Sequence, residues 1–227
     1  MTAVRHYGLE GRLRAVFFRL SALATGLLAS GCALDRGPSL GSLTGGPDTA
    51  AIEEQAAATP YASLDLEVAG AGGLVILAES TGDMTYWQFA DNATIALEQG
   101  YLRSTAGLTS DLIDTQVVTD SGQPTIPWRR GHDSADYRVI REWRSADGFE
   151  TRGEAQASLH CDSETVEMSL PLTDAALQPC RETLEWESGD TTVSTLWRSP
   201  RDGRLWAVET QPWPDAPTFS WRIARPW

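Results

Sequence analysis

The chain has no lysine: all 18 basic residues are arginine, set against 31 acidic residues and three histidines. Arg5, Arg12, Arg14 and Arg19 precede Cys32 together with one acid, Glu10, so losing that leader takes the formal net charge from −13 to −16. A domain this acidic repels phosphate backbones and anionic headgroups at long range, and no basic run exceeds Arg129-Arg130. Nucleic acid is not an expected partner. The apolar run from Leu20 to Ala29 is shorter than the roughly 20 residues that a membrane-spanning helix needs. Nucleophile-elbow, P-loop and dinucleotide-binding motifs are all missing, and no cofactor is expected. Disorder is not indicated for the chain as a whole, because its 41% apolar and 22% charged residues lie near globular averages.

Residues 1–31 have the three parts of a secretory signal: an arginine-bearing start, an apolar middle from Leu20, and small residues before a cut site. Leu28-Ala29-Ser30-Gly31-Cys32 resembles a bacterial lipobox, in which the cysteine thiol takes a diacylglycerol; Ala29 stands where leucine is more usual. Cysteine arithmetic agrees, since acylating Cys32 leaves Cys161 and Cys180 as an even pair. Several acyl chains on Cys32 would make membrane attachment effectively permanent. Ala33 is not the aspartate that retains such proteins at the inner membrane, so the expected address is the outer membrane, with the domain facing the periplasm.

Residues 32–60 are rich in Gly, Pro, Ser, Thr and Ala and read as a flexible tether with an r.m.s. reach of roughly 30 Å. A short helix can form from Thr49 to Ala58, although no apolar stripe supports it. Residues 61–227 show short runs of period-two or continuous apolar character between turn residues, an all-β signature. Leu64, Leu66 and Val68 share one face, as do Tyr137, Val139 and Arg141, and Phe219, Trp221 and Ile223. Asp147-Gly148 and Asp202-Gly203 supply hairpin turns. Without helical crossovers the neighbours are antiparallel, giving a β-sandwich or a barrel-like domain.

Cys161 and Cys180 are expected to pair as a disulfide, with zinc held by His160 and the two cysteines as the alternative. Beside His132, Asp133 and Asp136 could share a cation, although such a Gly/Asp/Ser cluster also reads as a loop. Asp111 and Asp114 could form a carboxylate pair for glycoside hydrolysis; the other reading of Asp111 is a turn role after Gly107. Nine tryptophans occur, most in strand patterns. Trp128 and Trp213 have proline flanks, which point to loops and to exposure. Beside Arg129, Arg130 and Gln211 they could form a surface for a sugar or a protein, unless they pack at loop bases.

The segment from Gly100 to Leu112 resembles the G-x-L-x-x-T-x-G-L-x-x-D-L stretch of the YjbF/GfcB lipoproteins, matching at Gly100, Leu102, Thr105, Gly107, Leu108, Asp111 and Leu112. Pro60-Tyr61-Ala62-Ser63, Leu74 to Ala78 and Trp87 resemble that family's start. Leu196-Trp197 through Gly203, then Gln211 and Pro214, resemble its ending. Leu196 replaces an aromatic residue, and Ala224-Arg225-Pro226-Trp227 replaces a lysine-proline ending. The resemblance implies an antiparallel β-sandwich or barrel and an association with group 4 capsule and exopolysaccharide operons. It supplies no activity. The expectation is an outer-membrane, lipid-anchored accessory factor without enzymatic activity that binds polysaccharide or export proteins. The alternative is an enzyme that trims or modifies the glycan.

Overall fold

A computed structural model describes residues 48–89, 92–129 and 133–227. The chain runs through a helix α1 (Thr49–Ala58) and then β1 (Ser63–Val68), β2 (Ala71–Thr81), β3 (Met84–Gln88), β4 (Thr94–Glu98), β5 (Tyr101–Ala106) and β6 (Asp111–Val118). A 3-10 turn, Pro127–Arg129, precedes β7 (Ser134–Arg144), β8 (Glu150–Cys161), β9 (Val166–Leu170), β10 (Thr173–Trp186), β11 (Thr191–Arg198), β12 (Leu205–Thr210) and β13 (Phe219–Arg225). The strands pair in the order β5-β4-β3-β2-β1-β13-β12-β11-β10-β8-β7-β6, with β9 forming a hairpin on the first half of β10. Every pairing is antiparallel.

The two ends of that order, β5 and β6, are consecutive strands lying side by side. The sheet is therefore a nearly closed barrel, which resolves the choice between sandwich and barrel. Period-two alternation builds it: Leu64, Tyr137, Val139, Leu184, Phe219, Trp221 and Ile223 are all buried in one cluster. Asp147-Gly148 and Asp202-Gly203 form the turns between β7 and β8 and between β11 and β12.

Within residues 32–60, expected to form a tether with room for a short helix, Thr49–Ala58 is helical and docked, with Ile52 and Ala56 buried. Two contacts one turn apart do not make a stripe, which is why periodicity gives so little sign of it. Specific ends hold this helix. Asp48 caps it by accepting from the Ala50 N–H at 3.1 Å. At the other end the Arg225 guanidinium donates to the Thr59 carbonyl at 2.9 Å and the Ala56 carbonyl at 3.3 Å, placing a cation on the negative end of the helix dipole. The leader, Cys32 and residues 33–47 lie outside the described residues. Among the described residues no helix is long and apolar enough to cross a membrane.

Candidate functional site

Between β5 and β6 the barrel is closed by side chains. The Thr105 hydroxyl donates to Asp111 Oδ1 at 2.9 Å and accepts from the Leu112 N–H at 2.9 Å. The same carboxylate accepts from the N–H groups of Gly107 and Leu108, both at 3.1 Å. Gly107 sits at φ +86°, and a Cβ there would lie 3.2 Å from Ala93 Cα, so the turn needs glycine. Farther along, Arg103 on β5 pairs with Asp114 on β6 at 2.8 Å. The Gly100 to Leu112 motif is thus the chemistry of the seam. Asp111 is saturated by its own turn and Asp114 by an arginine, so the two do not form a free carboxylate pair.

Where the seam loosens, a cavity of about 350 Å³ is lined by Leu102, Val117, Val118, Ile126 and Trp128. Trp128 is only 2% exposed and stacks on Tyr101, with centroids 4.4 Å apart and planes at 17°. At the opposite end of the barrel Trp213, 4% exposed, lies parallel to Trp143 and tilted against Phe219. The expected exposure of both rings is corrected here. Proline does place them in loops, but the loops fold inward because an indole is the largest apolar body available to fill each mouth of the barrel. Of the two readings, packing at a loop base is the one this geometry takes.

Between these plugs lies a polar belt. Glu182 (0% exposed) accepts from the hydroxyls of Tyr101, at 2.9 Å, and Tyr137. Arg141 (1% exposed) donates to the Tyr101 oxygen at 2.8 Å, to Thr115 Oγ1 at 3.4 Å and to the Pro212 carbonyl of the Trp213 loop. Burial, the largest cause, pushes the Tyr101 phenol well above its ordinary 10.0, with Arg141 opposing and Glu182 adding. Tyr137 is raised for the same first reason, then by Glu182. Both phenols are neutral donors at physiological pH. The belt satisfies buried charge and ties the Trp213 loop into the barrel. Sequence reading passed over it, although the signal was present: Arg141 is in phase with Tyr137 and Val139, as Glu182 is with Cys180, Leu184 and Trp186. A charge on the inward face of a strand must find a partner there.

The remaining candidates separate. Cys161 and Cys180 face each other across β8 and β10 and form a disulfide, which leaves no thiolate for zinc. His160 is exposed beside them. Asp133 and Asp136 are exposed, while His132 and Arg130 lie outside the described residues. No cluster of three or more His, Cys, Asp or Glu able to hold a metal occurs among the described residues. Gln211 donates to the Ala216 carbonyl at 3.4 Å and so braces the Trp213 loop. Arg129 is exposed, with its guanidinium on Gln99.

These features define an antiparallel barrel domain whose interior is filled by its own side chains. The chain belongs to the family described as "Group 4 capsule polysaccharide lipoprotein gfcB, YjbF", which matches residues 12–217. It is therefore a member of a family of capsule-polysaccharide lipoproteins. The fold is similar to the crystal structure of the hypothetical lipoprotein YmcC from Escherichia coli (K12), with a TM-score of 0.65 and 18% identity over 78% of this chain and 89% of that one. No match was found among curated proteins.

Proposed function

We propose that the protein is a lipid-anchored accessory factor of capsule or exopolysaccharide assembly and export, acting by binding and without catalysis. It is held by Cys32 at the outer membrane and faces the periplasm. The observation that carries the non-enzymatic reading is the consumption of the carboxylates offered for chemistry. Asp111 is bound by three donors in its turn, Asp114 by Arg103, and Glu182 by two phenols inside the barrel. The anchor is supported by the lipobox at Leu28 to Cys32, the small residue Ala33 after it, and the lipoprotein family. Binding is assigned to the outside of the barrel, where Arg129 remains exposed.

The test incubates purified full-length protein with the native polysaccharide and analyses both bound glycan and released fragments. Retention of glycan without new reducing ends is expected. Fragments that disappear in an Asp111→Asn variant of unchanged fold would instead establish the glycan-trimming alternative. For the anchor, Cys32→Ser should abolish fatty-acid labelling and release the protein from membranes; continued labelling would refute it.

A further inference from the structure

Most arginines on the wall of the barrel have a carboxylate. Arg103 pairs with Glu98 and Asp114, Arg138 with Glu154, Arg144 with Glu150, Arg152 with Glu142 and Arg222 with Asp65. At the end of the barrel where β4 turns into β5 and β11 into β12, the pattern changes. Arg129, Arg201 and Arg204 gather there, and none of them is in an ion pair among the described residues. Asp202 stands among them, but its carboxylate is held by its own turn, accepting from the Arg204 N–H at 3.1 Å. Asp83, Asp133 and Asp202 border the same cavities and Asp202 acts on Arg204 through space, yet no ion pair forms, so the three guanidiniums keep donors for an anion from outside.

The arginines border two adjoining cavities of about 280 and 390 Å³ that share Arg129 and Asp202. The first also holds Trp227, a residue 41% exposed, whose ring stands edge-on to Trp87 at 5.2 Å and carries the Arg204 guanidinium over one face, 4.1 Å from its centroid. Arg204 Nη2 is buried and has no acceptor among the described residues, so it is the remaining nitrogens of this half-buried guanidinium that face the groove. The groove is built, not incidental. A Cβ on Gly203, at φ +70°, would lie 2.7 Å from the Arg129 carbonyl oxygen, so the β11–β12 turn presses directly on the backbone that presents Arg129. Gln99 fixes the other side of that guanidinium.

We propose that this groove binds an acidic sugar of a polysaccharide, with the apolar face of a ring against Trp227 and its carboxylate held by Arg129 and Arg204, while Arg201 meets the next residue of the chain. The proposal rests on the glycan-binding reading above and names its ligand class. The rest of the acidic surface then discourages any other docking of a polyanion.

Calorimetry with the full-length protein tests it, using oligogalacturonate as a chain of carboxylated sugars, dextran of equal length as a neutral glycan and polyglutamate as an anion without sugar rings. Oligogalacturonate should bind and weaken as salt rises. Arg129→Gln and Arg204→Gln should each lose roughly tenfold and Trp227→Ala roughly thirtyfold, with exposed Arg181→Gln unchanged. Gly203→Ala should weaken binding by displacing Arg129 while the far end of the barrel stays intact. Equal affinity for dextran would overturn the acidic class, and equal affinity for polyglutamate would overturn the sugar. No binding of oligogalacturonate, or wild-type affinity in all three variants, would overturn the groove. The same variants measured on the native polysaccharide separate the two readings. Undiminished binding there refutes this groove and leaves glycan binding standing, whereas no binding by the wild type refutes both.

Discussion

Replacing Glu182 by glutamine keeps the shape of the side chain and removes the charge at the centre of the barrel. Two consequences follow from the hydrogen bonds. Both phenols donate to Oε1 and Tyr101 also reaches Oε2; the amide turns those charge-assisted bonds into neutral ones and sets an NH2 donor where Oε2 accepted, a loss of about 1–3 kcal/mol. Arg141 meanwhile stays buried without a compensating anion, and breaking such a pair costs roughly 3–5 kcal/mol when the groups touch. Here they meet through the Tyr101 hydroxyl, which donates to Glu182 and accepts from Arg141, so the two terms overlap and the expected loss is about 3 kcal/mol. For a domain of this size that lowers Tm by roughly 6–12 °C.

Thermal unfolding followed by tryptophan fluorescence is the assay, because Trp128 stacks on Tyr101 and reports the belt directly. The double variant Glu182→Gln with Arg141→Met should lose less than the sum of the single losses, since removing both charges leaves neither orphaned. A Tm within about 2 °C of wild type for Glu182→Gln, or strictly additive losses, would refute the reasoning.

Alkali should expose the same belt. Both phenols are raised above 10.0, so the folded state keeps protons that the unfolded chain releases; stability is complete below that pH and falls as pH rises through the folded values. Urea midpoints should decline above pH ~10 with a slope of up to about 2.7 kcal/mol per pH unit, and a flat profile to pH ~12 would contradict this. Unreduced peptide mapping should show the Cys161–Cys180 link in exported protein, and replacing both cysteines by serine should cost about 3 kcal/mol in urea unfolding. Asp111→Asn should cost about 2 kcal/mol, since an amide cannot accept from all three donors around it; unchanged stability would remove the turn role.

The strands were legible because burial on a barrel repeats every second residue: β7 and β13 show their inward faces directly in Tyr137-x-Val139 and Phe219-x-Trp221-x-Ile223. Both Asp-Gly turns were legible for an equally local reason, the positive φ of their glycines. The depth of the tryptophans was not. Proline announces a loop but says nothing of whether the loop turns inward, which depends on a space left by strands distant in sequence, such as Tyr101 beneath Trp128. The belt was half legible. Arg141 and Glu182 stand in phase with apolar neighbours, but their union needs β5, β7 and β10 together, and only the closed sheet brings them there. Helix α1 was obscured because its docking rests on Arg225, at the other end of the domain.

A barrel can hold a ligand inside or bind one outside, and the filling decides which. Here Trp128 closes one mouth and Trp213 the other, and Arg141 holds the Trp213 loop through the Pro212 carbonyl. A ligand entering by either end would have to displace an indole and uncover the charges of Arg141 and Glu182, at a cost of several kcal/mol before any contact is made. The outer rim carries no such penalty. Arg129 and Arg201 are exposed there and Arg204 is half-buried, held in place by Gln99 and the Asp202-Gly203 turn and set beside the part-exposed Trp227. The residues that fill the barrel thus bear on the proposed function indirectly: they brace the rim that holds spaced cations beside an aromatic ring, and they leave the outside of the barrel as the surface on which the proposed glycan would be met.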